Sequence, residues 1–160
     1  MSEQNNANTA PVLEDFIREK LTGETQQNAL DYVAFLRSNK LPLVSNSDGW
    51  FIGGNFENSI GFLIVRGDAQ KVDPWTICFY FCDFGGNGST NDELKETAWA
   101  YVNPCTKCHE GWKDCGRANR TVFGREFEAL CLSPLAFNNP DGKTLESVKK
   151  LMLMLMQNRK

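Results

Sequence analysis

A chain of 160 residues with 41% hydrophobic content is long enough for one domain with a real core and short for two. Seventeen basic against twenty acidic side chains leave a formal charge of −3, which disfavours attraction to phosphate backbones or anionic lipid, so neither nucleic acid nor membrane is an expected partner. No apolar run approaches the roughly 20 residues that span a bilayer. Residues 1–10 lack the basic start and apolar run of a secretory signal. The expected location is cytoplasmic, with mostly reduced thiols.

In chain order, residues 1–10 read as a disordered polar tail and 11–160 as a single domain. Pro11 suits a first helical turn, and Val12, Leu13, Phe16, Ile17 and Leu21 recur at helical spacing until Gly23 is expected to stop the helix. Leu30, Val33, Ala34 and Leu36 predict a second helix over 25–37, with Asn39 as a left-handed cap. Three apolar runs, 50–52, 60–65 and 75–81, are separated by Gly53-Gly54-Asn55 and Gly67-Asp68, and predict an antiparallel meander. In the third run Ile77, Phe79 and Phe81 alternate with Cys78, Tyr80 and Cys82, and both faces are apolar enough to be covered, as in a central strand.

Thr90 to Glu93 has the form of a capping box, and Leu94, Ala98 and Tyr101 line one face of the helix it opens, which should end near Asn103-Pro104. Residues 120–123 and 125–132 predict a hairpin turned at Gly124. Asn139-Pro140 reads as cap and first position of a last helix, whose stripe is Leu145, Val148, Leu151, Met152, Leu155 and Met156. A methionine-rich stripe of this kind is adaptable core filling. The sum is an α+β fold: an antiparallel sheet of about five strands, helices packed on it, and a Cys-rich metal-binding loop.

That loop concentrates the chemistry. Cys105-Thr-Lys-Cys108-His109-Glu-Gly-Trp112-Lys-Asp-Cys115 holds three of six cysteines and the single histidine. A Cys-x-x-Cys pair is the usual half of a tetrahedral zinc site, and Cys115 and Cys131 complete a set of four thiolates, with His109 an alternative to Cys115. Lys107, Lys113, Arg117 and Arg120 would offset the charge of four thiolates on a divalent ion. Two other readings stand beside structural zinc. Cys105 to His109 also spells the attachment motif of a c-type haem, which requires export. A redox pair would need the motif at a helix N-terminus after a strand, whereas here it is expected to follow a helix and Pro104.

Elsewhere the sequence carries neither a Gly-x-Ser-x-Gly elbow nor a phosphate-binding Gly-x4-Gly-Lys-Ser/Thr loop. Trp50, Trp75, Tyr80, Trp99 and Trp112 are many aromatic residues for a small domain. They are either core or, with Glu126 as a counter-charge, the lining of a cleft for a small apolar or cationic ligand. Phe123-Gly-Arg-Glu-Phe127, Cys131, Phe137-Asn-Asn-Pro140 and Leu145-Glu-Ser-Val-Lys-Lys-Leu151 carry a resemblance to a group of small, uncharacterised, Cys-rich bacterial proteins. More remotely the layout is similar to small-molecule-binding domains of the gyrase-inhibitor-like kind. The resemblance implies a compact α+β fold with a ligand cleft. The expected function is a zinc-stapled, non-enzymatic domain that binds a small molecule or a protein. The alternative is a thiol-dependent enzyme or redox protein using Cys105 or Cys108, and a zinc-ribbon-like nucleic-acid binder is a third class that the acidic balance opposes.

Overall fold

The computed structural model describes residues 12–54, 56–67, 73–80, 91–105 and 117–158. Helix α1, Leu13–Lys20, buries Leu13 and Ile17 as the apolar spacing predicts, and Leu21 follows them into the core. Gly23 does not stop it. The chain turns through extended Leu21 and Thr22, and Gly23, with φ 59°, opens α2, Gly23–Ser38. The Gln26 amide donates to Leu21 O at 2.6 Å, closing the end of α1 from the next helix. Arg37 also grips both carboxylate oxygens of Glu14 across the two helices, and that hydrogen-bonded contact holds the Glu14 carboxyl below its ordinary pKa. At the end of α2 the left-handed residue is Lys40, φ 57°, not Asn39, whose side chain instead donates to Phe35 O.

Among the described residues the sheet has seven antiparallel strands: β1 Leu43–Asn46, β2 Gly49–Ile52, β3 Gly61–Val65, β4 Trp75–Phe79, β5 Val102–Pro104, β6 Ala118–Val122 and β7 Arg125–Asn138. A short 3-10 turn, Phe56–Asn58, lies between β2 and β3. The path runs β1-β2-β3-β4-β7-β5, and β6 also pairs with β7. The predicted meander is β2-β3-β4, and β4 does lie inside the sheet, with β3 and β7 on its two sides. Two short strands go beyond the expected five: β1, a four-residue edge, and β5, where the run after α3 was expected to be helical.

Strand alternation gives the sheet two different faces. Trp50, Ile52, Leu63, Val65, Trp75, Ile77, Phe79, Leu135 and Phe137 share one buried cluster with the apolar stripes of the helices. Helix α3, Asp92–Ala100, contributes Leu94 and Ala98, and its cap is Asn91, whose side chain accepts from Leu94 N–H. Helix α4, Gly142–Asn158, contributes Leu145, Val148, Leu151, Met152 and Leu155, so the Leu-Met repeat is helical. Its first turn is capped by Asp141, which accepts from Thr144 N–H at 2.8 Å, while Asn139, expected to be the cap, takes φ 45° and donates its N–H to Trp75 O. Lys149 of α4 ties back to Asp31 of α2 and sits over the Phe35 ring.

The opposite face carries Phe51, Phe62, Thr76, Cys78 and Tyr80. Phe62, Thr76 and Cys78 are buried although they lie outside the helix-side cluster. The expectation that β4 is covered on both faces therefore holds for its described residues. No helix among the described residues is long and apolar enough to cross a membrane.

Candidate metal centre

Strand β7 organises the site. Its first half forms a hairpin with β6 around Phe123-Gly124, both at positive φ (48° and 80°), the two-residue turn whose twist suits a hairpin. Its last residues pair with β4, Phe79 with Leu135 through Thr76 with Asn138. Midway, Leu130 is registered with Pro104 of β5 and with Ala118 of β6. A strand residue has one neighbour on each side, so β5 and β6 flank β7 on opposite sides there. The chain consequently leaves β5 at Cys105 on one side of β7 and returns at Arg117 on the other.

Cys105 is half-buried, and its backbone N–H donates to Ala129 O at 2.8 Å. Cys131, also half-buried, lies two residues further along the same strand, next to core residue Leu130. Around it is a thiol and hydroxyl cluster on the face turned from the helices. Burial pushes the Cys78 thiol up to about 12, with Arg66 acting against it and Cys131 adding to it. Burial likewise pushes the Tyr80 phenol up to about 12, helped by the two neighbouring thiols and opposed by a hydrogen bond with Ser133. Arg66 donates to Thr76 Oγ1 at 2.7 Å, and Thr76 passes the chain on to Asn138 Oδ1 at 2.8 Å. Cys78, Cys105 and Cys131 are not in disulfides.

Of the four expected metal ligands, Cys105 and Cys131 are thus brought onto neighbouring strands, while Cys108 and Cys115, with His109 and Trp112, lie outside the described residues. Among the described residues no group of three or more His, Cys, Asp or Glu side chains gathers as a metal site. The two described thiols are soft donors suited to zinc rather than to the oxygen-seeking calcium or magnesium. Cys105 follows strand β5 and not a helix, which corrects the setting expected for the Cys-x-x-Cys pair.

The aromatic candidates are divided by the sheet. Trp50, tilted against Phe16 at 5.2 Å, and Trp75, fully buried, belong to the helix-side core. Tyr80 lies on the other face, against Phe62. Trp99 is half-buried on α3, where its indole N–H donates to Val122 O at 2.7 Å and fastens α3 to the hairpin. Arg125 covers its ring at 5.5 Å and that of Phe127 at 5.2 Å. Glu126 is exposed on β7, opposite Thr121.

A feature that sequence reasoning missed is a groove of about 340 Å³ between α3 and α4, lined by Glu96, Thr97, Tyr101, Lys143, Thr144 and Ser147. Its sequence trace is a set of small hydroxyl residues one turn apart, but only the packing of two helices distant in sequence makes them one surface. Comparison with protein-family models, curated proteins and solved structures gave no match.

Proposed function

We propose that this chain is a zinc-stapled, non-enzymatic α+β module of the cytoplasm that binds a small molecule or a protein partner. The observation that supports the staple is the crossing at β7. Cys105 closes β5 on one side, β6 begins on the other, and Cys131 stands next to Leu130, the residue to which both strands are registered. Cys108 and Cys115, on the connection between, supply the remaining thiolates, and only two residues of chain separate Cys115 from Ala118. Closing a connection of this length costs conformational entropy, and a metal that binds only the folded arrangement returns its binding free energy to the fold. The ion is structural, and the groove between α3 and α4 offers the ligand seat, with Glu96 and Lys143 to orient a polar molecule by charge.

The test is elemental analysis of protein purified without chelator. The expected result is one zinc per chain, lost or sharply reduced in Cys131→Ser. Metal-free wild-type protein, or an unchanged content in the variant, refutes the staple. The position of Cys105 directly after a strand favours a second reading, a thiol-dependent enzyme or redox protein using Cys105 or Cys108. Thiol titration separates the two, because zinc-bound cysteines stay protected until chelator is added, whereas a catalytic thiolate reacts at once and selectively.

A further inference from the structure

The two outer strands of the sheet are finished differently. At one edge β5 has three residues, one of them Pro104, and its register with β7 shifts, and both features blunt an open edge. At the other edge β1, Leu43-Val-Ser-Asn46, carries neither charge nor proline and pairs with β2 in unbroken register. Gly53 N–H donates to Pro42 O at 2.8 Å, so Pro42 and Gly53, one step beyond Leu43 and Ile52, form a hydrogen-bonded pair. In an antiparallel ladder such pairs alternate with pairs whose N–H and C=O point away. Val44 and Asn46 therefore bond to β2, while Leu43 and Ser45 turn their backbone groups outward, where they meet no partner among the described residues. Ser45 and Asn46 are exposed, so the edge stands open. Val44 is 39% exposed at the end of the cross-strand row Val44, Phe51, Phe62 and Cys78 on the face turned from the helices.

We infer that β1 is a self-association edge, at which a second copy of this chain adds its own β1 in antiparallel register about a twofold axis through Val44. Such an interface is isologous and must be complementary to itself. The outward groups lie two residues apart, so Leu43 exchanges both hydrogen bonds with the partner's Ser45, and Ser45 with the partner's Leu43. Val44, between them, falls against the partner's Val44 in a non-hydrogen-bonded pair, where side chains approach most closely, and the apolar row continues from one sheet into the next. The same register, run outward, sets Lys40 at one end against the partner's Asp48, and Asp48 at the other end against the partner's Lys40. Within its own chain neither side chain has an ion-pair partner among the described residues. An extended segment of an unrelated protein could meet the backbone groups, but only a second copy supplies these reciprocal charges by symmetry. Four residues of strand bury little surface, so the association is weak and concentration-dependent. It is independent of the zinc reading.

The experiment is sedimentation velocity of the full chain over concentrations up to about 1 mM, the range of weak dissociation constants. Wild type should pass from a monomer of 18.0 kDa to a dimer as concentration rises. Val44→Lys, which sets two ammonium groups against each other at the axis, should stay monomeric. Lys40→Asp and Asp48→Lys should each dimerise about tenfold more weakly, because like charges then face each other at both ends. Aspartate tolerates the left-handed backbone at position 40, φ 57°. Mixed in equal amounts, these two variants present opposite charges at both ends and should associate with wild-type strength, a recovery that no folding defect in either could produce. Wild type that stays monomeric up to about 1 mM overturns the inference, whether or not an extended peptide binds β1. So does dimerisation kept in Val44→Lys, or a mixture of the two charge variants that associates no better than either alone.

Discussion

Tyr32 sits in the middle of α2 with its ring fully buried, tilted against Trp75 at 6.3 Å and stacked near Phe35 at 6.1 Å, and its hydroxyl has no hydrogen-bond partner among the described residues. A hydroxyl taken out of water without a partner costs about 1–3 kcal/mol. Tyr32→Phe keeps the ring contacts, removes that penalty and forfeits only the few dispersion contacts of one oxygen atom, a fraction of 1 kcal/mol. The expected net effect is a stabilisation of about 1 kcal/mol, or some 2–4 °C in thermal midpoint for a chain of this size. Urea unfolding should show a higher midpoint at unchanged slope. The gap should widen in alkali. Burial alone raises the Tyr32 phenol far above its ordinary 10.0, so above that pH the unfolded chain releases a proton that the folded chain retains. Stability then falls with rising pH, by about 1.4 kcal/mol per unit for this one group in wild type, and the variant is spared that fall. A variant destabilised by more than about 1 kcal/mol would refute the reasoning, because a loss of that size means that the hydroxyl was paired.

Gly61→Ala should be among the worst single changes in the sheet. A Cβ there would stand 2.3 Å from the backbone carbonyl oxygen of Cys78, which cannot swing aside as a side chain would, so β3 and β4 must part, and a loss of about 2 kcal/mol or more in urea unfolding is expected. Gly124→Ala is the control: its Cβ meets nothing within 4 Å, and only the positive φ of 80° is strained, for about 1 kcal/mol. The Cys78 thiol, raised by burial from 9.0 to about 12, gives an earlier onset of alkaline destabilisation than Tyr32 does. The folded state again holds the proton that the unfolded state loses, so stability should decline from pH 9, and Cys78→Ala should remove the fall between pH 9 and 10 in equilibrium unfolding. An unchanged alkaline profile in that variant would count against burial of the thiol.

How much was legible in the residues follows from the range of each interaction. The helical stripes of α1 and α4 and the alternation of β4 are local patterns that became buried faces apart from exposed Val12, whereas in α2 Val33 and Leu36 are buried as expected but Ala34 is exposed and Ala29 and Tyr32 fill the core. The Phe123-Gly124 turn was readable because few residues beside glycine tolerate its backbone. Caps were read a residue or two early, Thr90 for Asn91 and Asn139 for Asp141, since several neighbouring side chains were chemically able to accept the same N–H and packing chose between them. Strands β1 and β5 were missed because four and three residues carry too little pattern of their own; what makes them strands is a partner elsewhere in the chain.

The candidate site divides along the same line. Composition and local spacing determined the fold class, the two-faced central strand and the concentration of thiols in one segment, because these depend on residue type and on neighbours a few positions away. The burial of Trp50 and Trp75 on the helix side, the groove between α3 and α4, and the placing of Cys105 at the end of β5 and of Cys131 on the adjoining β7 were decided by tertiary structure alone. Those depend on β7 pairing with three strands at once and on a backbone at Ala129 held from both sides, contacts that no local pattern encodes.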